Sequence, residues 1–405
     1  MVIVGGGKAG ARAIVALREN GWAGSITLVC DEVLLPYDRP SLSKAAITDE
    51  AEHEPSYLLD DGMIASLDAR LLSGAAAISI DRNQKTVTLA NGVSISYDRL
   101  LLAPGAEPRR LTQPGAERAL MLRDLADAKT IRQVFTPSAS VAIIGGGFIG
   151  LELAASATKR GCSVTVIEAQ PRILMRGVPE EISRVVAQRH KAAGCTILVA
   201  TSVERISSKS VILSDGTDVA ADVVIAGIGA SPRTGLAEQA GLATDNGIAC
   251  NALLQTSDPF VFAAGDCCSF PHATFGNTRM RFEAWRNASD QAIVAAENML
   301  GGERSYDVVP WFWSDQFDLT LQIAGQPHLG TTAVRRPMKD NAFILCHMDA
   351  DGRLVGASGI GPGNAIARDI RLLEMLIGKW ATPDPSSLAD ASFQLKSLVR
   401  SLATI

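Results

Sequence analysis

No two of the seven cysteines in this 405-residue chain, at positions 30, 162, 195, 250, 267, 268 and 346, stand in a Cys-x-x-Cys pair, and the five histidines do not fall at ligand spacing. That excludes the common zinc modules, and an odd, scattered set of thiols is not the framework of a secreted disulfide scaffold. No run of about 18 uninterrupted apolar residues occurs, the length a membrane-spanning helix needs. No charge of one sign dominates: 38 Lys and Arg against 43 Asp and Glu leave a net charge of −5, without the basic excess that nucleic acid or an anionic membrane surface would select. Aromatic residues are few, at 5%, but 47% hydrophobic and 20% charged residues place the chain among ordinary globular proteins. The apolar start Met1 to Val4 runs straight into glycines, with no charged-then-apolar leader. The expectation is a soluble cytoplasmic protein of two or three domains, at about 150 residues each, with no nucleic-acid and no membrane partner.

Glycine is in excess, 36 residues or about 9% against a usual ~7%, and its placement is the first positive signal. The short apolar strand Val2-Ile3-Val4 leads into Gly5, Gly7 and Gly10 in a Gly-x-Gly-x-x-Gly pattern. A helical stretch to Gly21 follows, then a strand from Ser25 to Cys30 that ends in Asp31-Glu32. The same order returns. Val141 to Ile144 leads into Gly145, Gly147 and Gly150, and a helix to Gly161 precedes the strand Ser163 to Ile167, which ends in Glu168. In such a loop the first glycine permits the turn, the second lets backbone N–H groups approach a pyrophosphate, and the third lets helix and strand close up. The acidic residue about 20 positions on can take a ribose hydroxyl.

A second repeat aligns without gaps at a constant offset of 124. Thr86 to Gly92, closing in Ala103 to Arg109, matches Ser210 to Gly216, closing in Gly227 to Arg233. Asn91-Gly92 in one copy and Asp215-Gly216 in the other are hairpin turns that need positive φ. Two homologous dinucleotide-binding units follow from this. From residue 306 the texture changes to strand-like segments around 319–324 and 342–348, a turn at Asp351-Gly352, and two helical segments at roughly 364–378 and 386–402. Asp349 to Gly352 resembles a fragment of a calcium loop, but lacks the downstream carboxylates and reads as a hairpin turn. This tail reads as a separate α+β domain without a nucleotide motif.

After the second unit the apolar strand Val261 to Ala264 ends in Gly265-Asp266. The order of first glycine loop, second glycine loop and Gly-Asp resembles the two-dinucleotide flavoproteins of the pyridine nucleotide-disulfide oxidoreductase superfamily. Within it, the NADH-dependent ferredoxin reductases that feed multicomponent oxygenases are the nearer likeness. The residues that carry it are Pro36 to Lys44, Gly147 to Glu152, Phe282 to Trp285, Asn287-Ala288 and Pro310 to Gln316. The resemblance covers essentially the whole chain. It implies an α/β fold of glutathione-reductase type, with two Rossmann-like domains, the NAD domain inserted in the FAD domain, plus the C-terminal α+β domain. The boundaries are drawn at 1–108 and 228–305 for the FAD domain, 109–227 for the NAD domain and 306–405 for the tail.

The resemblance also distributes roles. Gly5, Gly7, Ala9 and Gly10 would meet the FAD pyrophosphate through backbone. The ribose falls to Asp31 or Glu32, with Asp31 at the family's position. Arg39 and Arg123 are candidates for the FAD phosphates, with ordinary surface ion pairs as the alternative. Asp266 would take the ribityl chain, and the backbone at Trp285 the pyrimidine edge. Ala103-Pro104-Gly105 stands where the family has Ala-Thr-Gly, so a local threonine hydrogen bond is lost. Lys44 and Glu152 would pair beside the ring nitrogen that accepts hydride, tuning and positioning rather than acting as acid and base. Gly145, Gly147, Phe148, Ile149, Gly150 and Gly229 belong to the NAD side. Glu168 there favours NADH, because a carboxylate would repel a 2′-phosphate, while Arg172 and Arg176 stand close enough to soften that preference. No metal is assigned.

Disulfide-reducing relatives need two spaced cysteines beside the flavin, since thiol–disulfide exchange passes through two sulfurs. None are spaced so here, and Cys267-Cys268 reads as packed small side chains. Peroxide-reducing relatives place one redox cysteine where this chain has Ser41 and Ser43. Electrons would then leave through the flavin edge to a two-iron two-sulfur ferredoxin, with Trp313 near the flavin on the docking face. Arg279, Arg281, Arg286, Arg335, Arg336 and Lys339 would complement an acidic partner. The alternatives are rubredoxin, a nitrite reductase or a quinone as acceptor, or a redox-sensing interaction module.

Overall fold

Two stretches of uninterrupted apolar residues, Val2–Val4 and Leu100–Leu102, are buried on both faces, as the inner strands of a parallel sheet must be. The computed structural model describes residues 1–49, 51 and 54–401. The chain divides into two units by its contacts, and each is taken by itself.

The first unit comprises Met1–Asp38, Pro55–Glu107 and Ser231–Val308. Its parallel sheet runs Val261–Ala263, Leu100–Leu102, Val2–Val4, Ile26–Val29, Ala69–Leu72. The helices Lys8–Glu19 and Trp285–Met299 bury small-residue faces, Ala9, Gly10 and Ala13 on one, Ala288, Ala292 and Ala295 on the other. An antiparallel sheet of Ala77–Asp81, Thr86–Leu89 and Ser94–Ser96 completes the repeat seen in the sequence.

The second unit comprises Arg39–Glu54, Pro108–Ala230 and Val309–Ile405. Its parallel sheet runs Thr196–Leu198, Ser163–Ile167, Ser140–Ile144, Val223–Ala226, Ala119–Leu120. Val203–Ile206, Ser210–Leu213 and Asp218–Ala220 form its antiparallel companion. The duplication is therefore structural: Thr86–Leu89 and Ser210–Leu213 are the equivalent central strands, and the turn glycines Gly92 and Gly216 both have left-handed φ, +83° and +85°.

The tail forms a five-stranded antiparallel sheet in the order Trp311–Gln316, Leu319–Gly325, Leu354–Pro362, Phe343–Met348, Thr332–Pro337, with the helix Ala367–Gly378 against it. Leu321, Phe343, Leu345 and Ile360 of this sheet share one apolar core with Val141, Ile143, Leu151 and Ile225 of the second dinucleotide fold. The turn at Asp351-Gly352 is a hairpin turn: Asp349 accepts from the N–H groups of Asp351 and Arg353, and Gly352 has φ +75°.

The last expected helix, 386–402, is corrected. Two short helices stand there, Pro385–Ala389 and Leu395–Ser401. The carbonyl of Leu388 at the end of the first, and those of Asp390, Ala391 and Phe393 between the two, accept from the Arg336 guanidinium, and Asp390 closes a turn on the Ser392 N–H. Carbonyls turned toward a guanidinium are lost to the helical ladder.

Candidate active site

Both glycine loops join the carboxyl end of a parallel strand to a 12-residue helix, the place where open α/β sheets bind nucleotides. Gly5 and Gly145 have φ +119° and +109°, and a Cβ on them would stand 2.0 Å from the Ala103 carbonyl oxygen and 2.4 Å from that of Gly227. A Cβ on Gly10 or Gly150 would collide with the carbonyl oxygen of Gly5 at 1.9 Å or of Gly145 at 2.1 Å. The middle glycines differ. Around Gly7 a Cβ would meet nothing within 4 Å, and at Gly147 only the Gly227 oxygen at 3.9 Å. Both are helix N-caps without a side-chain cap, and neither first turn holds an acid. Open space in front of free N–H groups at a helix start suits a pyrophosphate.

In the first unit the other site candidates follow the same strand ends. Asp31 pairs with Arg233 at 2.8 Å, whereas the Glu32 carboxylate accepts from the Tyr37 hydroxyl at 2.6 Å. Gly105 is left-handed at φ +74°, two residues past the Ala103 carbonyl that closes on Gly5. Gly265, φ +85°, donates its N–H to the buried Gln291 side chain, and the backbone oxygen of Asp266 accepts from Arg281. The Trp285 indole donates to Asp38 at 2.6 Å, and Lys8 of the glycine loop lies 3.7 Å from the Trp285 ring centroid. Burial lowers the Lys8 ammonium below its ordinary range. The sequence reading had passed over Lys8; its position inside the first loop was the available signal.

In the second unit Arg39 donates to the Arg123 carbonyl at 2.7 Å, which brings those two candidates together. Lys44 and Glu152, 108 positions apart, form an ion pair at 2.8 Å. Glu152 is only 5% exposed, so its charge depends on its donors. They are Lys44 and the Ser43 hydroxyl on Oε2 and the Ser314 hydroxyl on Oε1. Gln316 donates to Ser314 at 2.9 Å, and buried His190 meets Gln316 at 3.0 Å. Ser43, Ser314, Gln316 and His190 were not foreseen. The two-residue period of the strand Trp311–Gln316 could have shown Ser314 and Gln316: Phe312, Ser314 and Gln316 share one face, with Phe312 against Phe148 at 4.5 Å. Trp311 and Trp313 stack at 5.3 Å on the other.

Around the second loop the Glu168 carboxylate accepts from the N–H groups of Gly146 and Gln170, each at 2.7 Å. Ile149 is half-exposed in the first helical turn, and Arg176 lies beside Gly229. Arg172 has its guanidinium turned onto the carbonyls of Ile173, Leu174, Met175 and Val178.

Two members of the basic set, Arg336 and Arg281, are corrected. Arg336 is 4% exposed, paired with Asp369, and Arg281 has 9% of its side chain exposed beside Glu283. Arg279, Arg286 and Arg335 carry partners in Asp245, Asp290 and Glu181. All seven cysteines are buried and unbridged, and burial pushes the Cys267 thiol up to about 12, which leaves it a packed, protonated side chain. No described helix is long and apolar enough to cross a membrane.

A family model described as pyridine nucleotide-disulphide oxidoreductase matches residues 1–292, and one described as reductase C-terminal matches 311–399. The ferredoxin–NAD(+) reductase component of an anthranilate 1,2-dioxygenase system from Burkholderia cepacia is 36% identical over 98% of both chains. Putidaredoxin reductase of Pseudomonas putida is 38% identical over 98% of this chain and 96% of its own. Among solved structures, a ferredoxin reductase from Rhodopseudomonas palustris superimposes with a TM-score of 0.93 at 36% identity, covering 98% of this chain and 99% of that one. The reductase of a covalent putidaredoxin reductase–putidaredoxin complex does so with 0.93 at 33%, covering 100% and 99%. The chain belongs to the pyridine nucleotide-disulphide oxidoreductase family and is an oxidoreductase of the same kind as these reductase components.

Proposed function

We propose that the protein is an NADH:ferredoxin reductase: bound FAD would accept hydride from NADH and release electrons one at a time to a two-iron two-sulfur ferredoxin serving an oxygenase. The observation that carries this reading is the pair of open glycine cradles, each before an uncapped helix, in a chain whose cysteines are all buried. A buried thiol of high pKa cannot relay electrons by disulfide exchange. The relatives' names supply the acceptor by analogy.

In this reading Gly5, Gly7, Ala9 and Gly10 hold the FAD pyrophosphate, Asp31 its ribose and Asp266 the ribityl chain. Gly145, Gly147, Phe148, Ile149 and Gly150 receive NADH. Glu168, already fixed by two backbone N–H groups, presents a negative charge where NADPH would bring a phosphate. Lys44 and Glu152 set the charge beside the flavin ring, and Trp313 serves the ferredoxin side.

Purified protein is expected to be yellow and to bleach faster with NADH than with NADPH. Mixed with the NADH-reduced protein, a two-iron ferredoxin should restore the colour in single turnovers. Colourless protein that takes up no FAD ends the proposal; rapid transfer to rubredoxin with none to any two-iron ferredoxin replaces the acceptor.

A further inference from the structure

Every hydrogen bond that leads to Glu152 can be given a direction. A carboxylate only accepts, so the Ser314 hydroxyl spends its proton on Oε1 at 2.6 Å. Having donated, Ser314 must accept from Gln316, whose Nε2 stands at 2.9 Å. That orientation turns Gln316 Oε1 toward His190 Nε2 at 3.0 Å, and an amide oxygen there requires the proton on Nε2. The reversed amide would direct Ser314 away from Glu152 and leave a buried oxygen without its donor, which is costly. His190 Nδ1 has no hydrogen-bond partner among the described residues, as an unprotonated ring nitrogen can tolerate. Burial holds the imidazole below its ordinary range, hence neutral.

We propose that His190, Gln316 and Ser314 form a one-way donor chain that fixes the Glu152 carboxylate toward Lys44, making them positioning residues for the hydride step. The chain starts on the helix Glu180–Ala192, passes through two alternate residues of the strand Trp311–Gln316 and ends on the helix Phe148–Lys159. Its geometry is independent of any cofactor; only its consequence in turnover rests on the flavin reading.

The first measurement therefore needs no turnover. In full-length protein with ¹⁵N-labelled histidine rings, the His190 signals, assigned by their loss in His190→Asn, should show a neutral ring protonated on Nε2. Glu152→Gln removes the charge that sets the direction, and the other tautomer should then grow in. The second measurement uses FAD-loaded protein. Ser314→Ala should lower the limiting rate of bleaching by NADH about tenfold, the worth of one hydrogen bond, at unchanged NADH affinity and FAD content, and Ser314→Thr should recover most of it. Should Ser314→Ala not fold, Gln316→Met, which keeps the bulk and cuts the link, should slow the same step. A His190 proton on Nδ1, or one on Nε2 indifferent to Glu152→Gln, overturns the chain. An unchanged limiting rate in the folded variants overturns its role. A protein that never takes up flavin fails the proposed function instead, and the tautomer result stands apart from it.

Discussion

Arg336 and Asp369 form an ion pair at 2.9 Å with the guanidinium 4% exposed, and the same guanidinium holds four backbone carbonyls between Leu388 and Phe393. Removing one partner of a buried pair strands the other. Arg336→Met should cost about 3 kcal/mol, read as a lower denaturant midpoint, and should expose 388–401 to protease first. Arg336→Lys, with one nitrogen in place of a fork, should rescue little.

The glycine cradles separate binding from folding. Gly7→Ala and Gly147→Ala add a methyl to open space, so both variants should fold, at a cost of no more than about 1 kcal/mol for alanine at an N-cap. Gly7→Ala should lose FAD affinity by about tenfold or more and Gly147→Ala should lose NADH affinity, since one methyl displaces the phosphate from its N–H donors by more than a hydrogen bond tolerates. Gly10→Ala and Gly150→Ala meet backbone oxygens at about 2 Å and should yield little folded protein. Titration of apoprotein with FAD and of holoprotein with NAD⁺ distinguishes the cases.

Those glycines show what was legible in the sequence. The loops and the hairpins at Asn91-Gly92 and Asp215-Gly216 are marked by glycines at positions of positive φ, and the gapless repeat is read directly by aligning the chain with itself. The donor chain was legible only in part: the two-residue period of Trp311–Gln316 sets Ser314 and Gln316 on one face, but nothing in the sequence brings Ser314 to Glu152 from 162 positions away. The break near Asp390 was hidden for the same reason: its cause, Arg336, lies 54 residues upstream. A count of arginines also says nothing of which are spent on carbonyls, so the basic set was overdrawn.

Glu168 gives a selectivity test. Glu168→Gln removes the charge and keeps an acceptor for only one of the two N–H groups, which reach separate carboxylate oxygens, so the NADH-to-NADPH ratio of flavin reduction rates should fall about tenfold, with a loss of stability of about 1–3 kcal/mol for the N–H left facing the amide NH2. A ratio that stays constant would place discrimination elsewhere.

His347 gives the pH dependence of stability. Burial lowers its imidazole to about 4, and Nε2 has no hydrogen-bond partner among the described residues. The unfolded chain takes up this proton near pH 6.5 and the folded chain only near 4. Stability is therefore complete above pH 6.5 and is lost as pH falls toward 4, at about 1.4 kcal/mol per pH unit. His190 and His272 are lowered by burial too and add in the same direction. In chemical denaturation at pH 7 and pH 4, His347→Leu should narrow the gap by about 3 kcal/mol.

The core that the tail sheet shares with the second dinucleotide fold bears on how such reductases can be recombined. A boundary near residue 306 looks like a place to cut and graft, exchanging the tail to change the acceptor. Yet the residues on the inner face of Trp311–Gln316 complete the surroundings of Glu152. A chimera joined there takes Ser314 and Gln316 from one parent and Glu152 from the other, so grafts that keep these hydrogen bonds must carry the strand Trp311–Gln316 and the helix Phe148–Lys159 as a single heritable piece.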